Sequence, residues 1–459
     1  MVVTPEILPP STSVGIAGWL KTNLFSSPFN VALTVVVGTL TAIAAVAMSR
    51  WLVFADWSPI TESLKLFLVG QYPSEELWRV GAVVVSATTL MGVSWAVWGG
   101  VMRTFARIVA AAGLIVALTP IEPAGFDLAV RLWYLGSAAS VALGFAVGRA
   151  ASLGPKWVIR AWALAFFLGM ALIWGFDERS IGSSLRMLFG AGATLTAVLG
   201  AAGWVGRFPL RVVLRWLAWG WAVVFVVTIV MAWGLGQTEL APRVNTNQWG
   251  GLLLTFVLAL VGIVASFPIG VLLALGRRSQ LPVLKGMSIA FIELVRGVPL
   301  VTLLFMTVVI VPLFLPQGTT FDLVLRAVFA ITLFSSAYMA ENVRGGLAAV
   351  PLGQIEGAKA LGLGGFQTML FIVLPQALRA VIPAIVGQFI SLYKDTSLVV
   401  IVGLLDILGI GKSLFLGNVR WFGAQAEVYL FVAAVFWVFT FSMAYASRKV
   451  EESLGVGER

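Results

Sequence analysis

Few residues in this chain could do chemistry, and their types narrow what that chemistry is. There is no histidine and no cysteine, which excludes imidazole proton relays, thiol nucleophiles, disulfides and Cys/His zinc sites. No Gly-x-x-x-x-Gly-Lys-Ser/Thr pattern occurs, so ATP is not expected to be bound and hydrolysed by that route. Among the remaining polar residues, two groups stand out. The first holds Gln388, Ser391, Lys394, Asp395, Thr396 and Ser397, set between apolar stretches. Gln388, Ser391 and Asp395 are spaced by three and four, which puts them on one helix face. Ionisable side chains at membrane depth are costly and usually face a cavity. Two other readings stay open: Lys394 and Asp395 pair with each other, or they sit in water at the outer interface.

The second group is Pro351 to Pro375, PLGQIEGAKALGLGGFQTMLFIVLP. Glu356 and Lys359 lie three apart and can pair on a helix. Ile355, Ala358 and Leu361 repeat at the same spacing and predict a narrow apolar stripe beside them. Gly362, Gly364 and Gly365 stop that helix, because glycine takes the left-handed conformation of a C-terminal cap. Phe366 follows. A short amphipathic helix with a sharp end is suited to docking into another protein's groove.

The elements that position these residues are membrane spans. Of 459 residues, 60% are hydrophobic and 11% charged, and the mean hydropathy is +0.99. That composition belongs to an all-α, polytopic membrane protein. Thirty basic against twenty acidic residues give +10, an excess that reports cytoplasmic loops and gives no ground for a nucleic-acid partner. Residues 1–29 read as a cytoplasmic tail without a signal peptide. Alternating basic and acidic loops then predict spans at 30–49, 80–102, 108–119, 132–148, 161–175, 187–206 and 216–236. Fifteen of the eighteen tryptophans precede residue 249, and with the polar segment 237–248 this marks a boundary near 245. The domain reading is an N-terminal bundle over 30–244, a second module over 245–450 and a cytoplasmic tail over 451–459.

In the second module, spans are expected at 247–276, 286–315 (kinked at Pro299), 323–340, 368–392 and 428–447, with 398–410 too short to cross. The total is about twelve, with both termini inside. Arg296 can pair with Glu293, three residues before it, while Glu341 and Arg344 flank the cytoplasmic end of a span, where they either brace the helix at 351–366 or anchor at the interface. Thr255 sits in an apolar helix, where its hydroxyl can simply bond its own backbone.

The segment from Glu356 resembles the cytoplasmic coupling helix of ABC importer permeases: Glu-Ala-Ala, three residues, Gly, nine residues, Ile-x-Leu-Pro. Here Glu356-Gly357-Ala358 opens it, Gly362 follows at the right spacing, and Ile372, Leu374 and Pro375 close it. Gly357 in place of alanine is the one departure. Gly250 to Thr255 (GGLLLT), Glu293 to Leu300 (ELVRGVPL), Ala337 to Val350 (AYMAENVRGGLAAV) and Gln388 to Ile401 (QFISLYKDTSLVVI) are similar to the polar amino-acid uptake branch, and the long extension to its general L-amino acid systems.

The resemblance implies a type I importer fold with a five-helix core in a bacterial inner membrane. It implies a coupling helix at 351–366, with Ile355, Glu356, Gly357, Ala358, Lys359, Gly362 and Phe366 facing a separate ATPase. Two ATP-binding subunits, a periplasmic amino-acid-binding protein and a second, related permease in a heterodimer are the implied partners. ATP and magnesium would sit on the ATPase, leaving no cofactor on this chain. A zwitterionic amino acid needs a cation or helix N-terminus for its carboxylate and an acceptor for its ammonium. Lys394 and Asp395 could supply these, with Thr396 or Ser397 as neutral donors and Gln388, Ser391 and Thr255 completing the candidate set. The alternative, an ion-coupled secondary amino-acid transporter, predicts mid-span acids and inverted repeats; the sequence is nearly free of the first and shows none of the second.

Overall fold

The computed structural model describes residues 15–118, 128–175, 242–314 and 322–454. The expected spans at 187–206 and 216–236 lie outside the described residues. The described residues are helical, with two isolated β-bridges and no strand. Packing separates residues up to Trp57 from residues 58–459. The first unit holds α1 (Gly15–Asn23) and α2 (Pro28–Phe54). Ser27 caps α2 by accepting from the Asn30 amide, and Pro28 takes the first helical position, where no N–H is missed. No residue of α2 is buried.

The second unit opens with short helices α3 (Ser58–Thr61) and α4 (Leu64–Val69), followed by α5 (Leu77–Trp98), α6 (Gly100–Leu118), α7 (Leu128–Ala150) and α8 (Pro155–Trp174). Small residues let α5 and α7 approach closely: a Cβ on Gly92 would meet the Val141 carbonyl at 2.1 Å, and one on Gly144 the Thr89 carbonyl at 2.0 Å. Thr88 and Ser140 share a hydrogen bond of 2.6 Å across that contact. This is how membrane helices associate without a hydrophobic driving force between them.

The C-terminal helices are α9 (Gly251–Arg277), α10 (Pro282–Arg296), α11 (Leu300–Phe305, continued by single turns to Phe314), α12 (Leu323–Ala349), α13 (Leu352–Ala360), α14 (Gly365–Gln367), α15 (Leu374–Ala380), α16 (Ile382–Asp395), α17 (Ile407–Gly417) and α18 (Gln425–Leu454). Asp322 caps α12, accepting from the Val324 and Leu325 amides at 2.9 and 3.2 Å. One apolar cluster, from Val69 and Tyr72 to Leu254, Ile331 and Tyr393, fills the end of the module where α9 begins. A second, around Ile292, Met339, Leu347 and Val373, fills the end where α9 stops. Val69, Tyr72 and Ile173 of the N-terminal bundle also belong to the first cluster.

Two expected spans are broken. The segment expected to run from 286 to 315 with a kink at Pro299 bends by 107° between α10 and α11. Pro299 lacks an N–H and bars Val298 from helical geometry, so the helix ends and restarts. The expected span 368–392 is likewise interrupted at Val381, two residues before Pro383, giving α15 and α16. Seven described helices are long and apolar enough to cross a membrane, or eight with the bent pair; the count of twelve is not established.

Asp406 caps α17, its carboxylate accepting from the Gly409 amide at 2.9 Å. It lies in a turn outside the spans and is fully buried. Burial pushes its carboxyl from 3.8 up to about 6, against the pull of the backbone N–H groups it accepts. The folded state therefore holds a proton that the unfolded chain has released between these values, so stability falls as pH rises through that window. The penalty is about 3 kcal/mol above pH 6. Asp406→Asn keeps an acceptor for the cap and removes the ionisation, so its unfolding temperature should be flat from pH 4 to 7 while that of the parent protein falls.

Candidate functional site

Two polar constellations lie near the cytoplasm-facing stretch expected from sequence, and a third lies on α16. The first is α13. Pro351 precedes it in extended geometry, and Gly362, at φ +77°, ends it. The amides of Leu361, Gly362 and Leu363 turn back onto the carbonyls of Gly357, Lys359 and Ala358 at 2.9–3.1 Å, closing the helix end. Ala358 is buried and Ile355 is half-buried against the second apolar cluster, so these two hold α13 to its own chain. Glu356, Gly357, Lys359, Gly362 and Phe366 are exposed.

This corrects the predicted stripe. Ile355 and Ala358 face inward, whereas Leu361 is 83% exposed beyond the helix end. The pair expected between Glu356 and Lys359 is not among the ion pairs of the described residues, because an exposed pair gains little over water. The departure at Gly357 is sterically neutral within the chain, since a Cβ there would meet nothing within 4 Å.

The second constellation joins three helices. Glu341 binds Arg344 at 2.5 Å, and its other oxygen faces Arg277 at 3.5 Å and Arg296 at 3.9 Å. Glu293 pairs with Arg277 at 2.9 Å, and the Arg296 guanidinium lies 5.5 Å from the Tyr338 ring. The expected Glu293–Arg296 pair does not form, because the convergence of α9, α10 and α12 brings each a cross-helix partner. Arg278 donates to the Leu347 carbonyl at 3.0 Å, tying the end of α9 to the turn before α13. No spacing in the sequence could have shown these cross-helix contacts.

The third constellation is the face of α16. Gln388, Ser391 and Asp395 do share one helix face, with Ser391 exposed and the other two half-buried. Gln388 donates to the Ser335 hydroxyl of α12 at 3.5 Å, a neighbour the sequence did not indicate. Lys394 is exposed and makes no ion pair with Asp395, and Ser397 donates to the Lys394 carbonyl. Thr396 and Thr255 are both fully buried. Thr396 donates to the Tyr393 carbonyl at 2.7 Å. Thr255 donates to the Gly251 carbonyl and accepts from the Ile407 amide at 3.3 Å, joining α9 to the start of α17. An apolar groove of ≈ 580 Å³ lined by Phe267, Ile382, Ile385 and Phe389 holds none of these polar residues.

Residues 266–454 match a family model described as "Binding-protein-dependent transport system inner membrane component". Over 97% of its length the chain is 35% identical to the glutamate/glutamine/aspartate/asparagine transport system permease protein BztC of Rhodobacter capsulatus, spanning 95% of that protein. It is 46% identical over 53% of its length to the inner membrane amino-acid ABC transporter permease protein YhdY of Escherichia coli, spanning 65% of that protein. Among solved structures, 44% of the chain aligns with 92% of a chain in "Crystal structure of an amino acid ABC transporter with histidines", at 28% identity and a TM-score of 0.40.

Proposed function

We propose, for a chain that belongs to the family of inner-membrane permeases of amino-acid ABC importers, that α13 is the element through which ATP hydrolysis on a separate subunit drives import. The protein is an integral membrane permease of an ATP-driven amino-acid importer. The observation that carries the coupling role is the two-sidedness of α13: Ile355 and Ala358 root it in the chain, while Glu356, Gly357, Lys359 and Leu361 are presented outward. A helix so held transmits a push because it cannot slip on its own base. Gly362 sets its end, and Phe366 stands exposed just beyond.

Around this core we place two ATP-binding subunits carrying ATP and magnesium, a periplasmic amino-acid-binding protein and a second, related permease. This chain then binds no cofactor, its domains keep the bounds 1–29, 30–244, 245–450 and 451–459, and both termini are cytoplasmic. Gln388, Ser391, Lys394, Asp395 and Ser397 are the residues placed to meet a zwitterionic solute, Asp395 accepting from its ammonium and Lys394 donating to its carboxylate. No observation favours an ion-coupled carrier.

The absence of native cysteine makes the test direct. Gly357→Cys and Leu361→Cys should crosslink to the ATP-binding subunit in membranes, and buried Ala358→Cys should not. Equal labelling of all three, or of none, would refute the coupling role. Separately, Asp395→Asn should weaken amino-acid stimulation of ATPase about tenfold, the value of one lost charge-assisted hydrogen bond; unchanged half-saturation for every amino acid tried would remove Asp395 from the solute site.

A further inference from the structure

The segment from Ser58 to Arg79, which belongs to the long N-terminal extension, is stitched into the end of the module where α9 begins. Glu62 forms a bidentate ion pair with Arg420, 358 residues later, at 2.8 and 2.9 Å. Phe67 is fully buried, edge-on to Phe431 of α18 at 5.0 Å between centroids. Gly70 bridges Trp249, and Gly251 both bridges Asp406 and donates its amide to the Leu405 carbonyl at 2.9 Å. At φ +57°, Gly251 leaves no room for a side chain: a Cβ there would lie 2.3 Å from the Phe67 carbonyl. Tyr72, also fully buried, donates to the Ile173 carbonyl at 2.8 Å. The buried Arg79 pairs with Glu76 at 2.7 Å and donates to the Pro242 carbonyl at 2.8 Å.

Each end of the module holds an apolar cluster, but only the one where α9 begins includes residues of the N-terminal extension among the described residues. α9 is 27 residues long, so about 40 Å separates its ends. At the α13 end, Arg277 and Arg296 meet Glu341 at 3.5 and 3.9 Å, ion pairs that can exchange partners as helices shift. At the other end, separation would expose two buried aromatic rings, strand a buried guanidinium and break a fork–fork pair. Close-packed contacts of that kind do not deform continuously.

We infer that residues 58–79 are a brace that fixes the starts of α9 and α18 and the whole of α17 into one body, which stays rigid through the transport cycle while rearrangement is confined to the α13 end and to subunit interfaces. The inference rests on the proposed function for the cycle in which this rigidity matters. It gives the extension a mechanical part in the permease, with residues 58–79 inseparable from the core they clamp.

The test uses the full chain in its complex with the variant pair Glu62→Cys and Arg420→Cys, which are exposed and outside both candidate sites. A bis-methanethiosulfonate reagent long enough to replace the ion pair joins them. The brace predicts equal crosslinking rates with and without nucleotide and vanadate, and import by the crosslinked protein within about twofold of the uncrosslinked variant. Failure to crosslink, a rate that changes with nucleotide, or import stopped by the crosslink and restored by dithiothreitol would overturn it. If the uncrosslinked variant shows no ATP-driven amino-acid uptake while crosslinking stays nucleotide-independent, the brace stands and the proposed function fails.

Discussion

Leu361→Asp should cut amino-acid-stimulated ATPase activity of the assembled complex at least about tenfold, because an anchor at the centre of an interface is commonly worth about 2 kcal/mol or more. Leu361 is a large apolar side chain held out by the turn at Gly362, and it touches little of its own chain. A carboxylate at the same point would have to be desolvated in the partner's groove, where Glu356 is already close in sequence. Ala358→Asp makes the contrast. Ala358 is buried against the permease, so that variant should lower the yield of folded protein instead of selectively uncoupling it. Stimulation by solute and binding protein, measured on material matched for assembly, separates the two. Full stimulation in Leu361→Asp would mean that another surface receives the ATPase.

Glu341→Ala should be the most destabilising change among the charged residues of the module. Glu341 is the carboxylate shared by Arg277, Arg296 and Arg344, and its removal leaves only Glu293 among three guanidinium groups. Breaking a buried pair costs about 3–5 kcal/mol; with the Glu341 side chain 22% exposed, water recovers part of this, leaving about 2–3 kcal/mol. Glu341→Gln should lose less, since its amide oxygen still accepts from the Arg344 Nε, now at 2.6 Å from Glu341. Thermal unfolding in nanodiscs should rank the parent above Gln and Gln above Ala. An Ala variant as stable as the parent would show that the three arginines find other partners.

The parts of the fold that were legible in the sequence are those set by local pattern. Long uncharged runs predicted α2, α9 and α18, and the glycines after Leu361 predicted the end of α13. The break before Leu300 was only half legible: Pro299 signalled a disturbance, and a kink and a 107° turn leave the same trace in sequence. Pro383 carries an equal signal inside the expected span 368–392. On α13, three-residue spacing identified Ile355, Ala358 and Leu361 as a set, but periodicity does not say which partner a face meets, and Leu361 lies past the last full turn.

Side-chain roles were less legible than elements. Thr255 and Thr396 look like polar groups awaiting a solute, yet each is satisfied by backbone, as hydroxyls in apolar helices commonly are. Asp406 stands just before an apolar run, the pattern of an N-cap, and could have been found by that signal. The contacts of Glu62 with Arg420 and of Arg277 with Glu341 join residues far apart in the chain, and only the fold brings them together.

The most direct test of the account is uptake of amino acids by the purified complex in proteoliposomes. The account predicts uptake that requires the binding protein and ATP on the side of the ATP-binding subunits, and that persists when proton and sodium gradients are collapsed. Uptake driven by an ion gradient after removal of the ATP-binding subunits would contradict it.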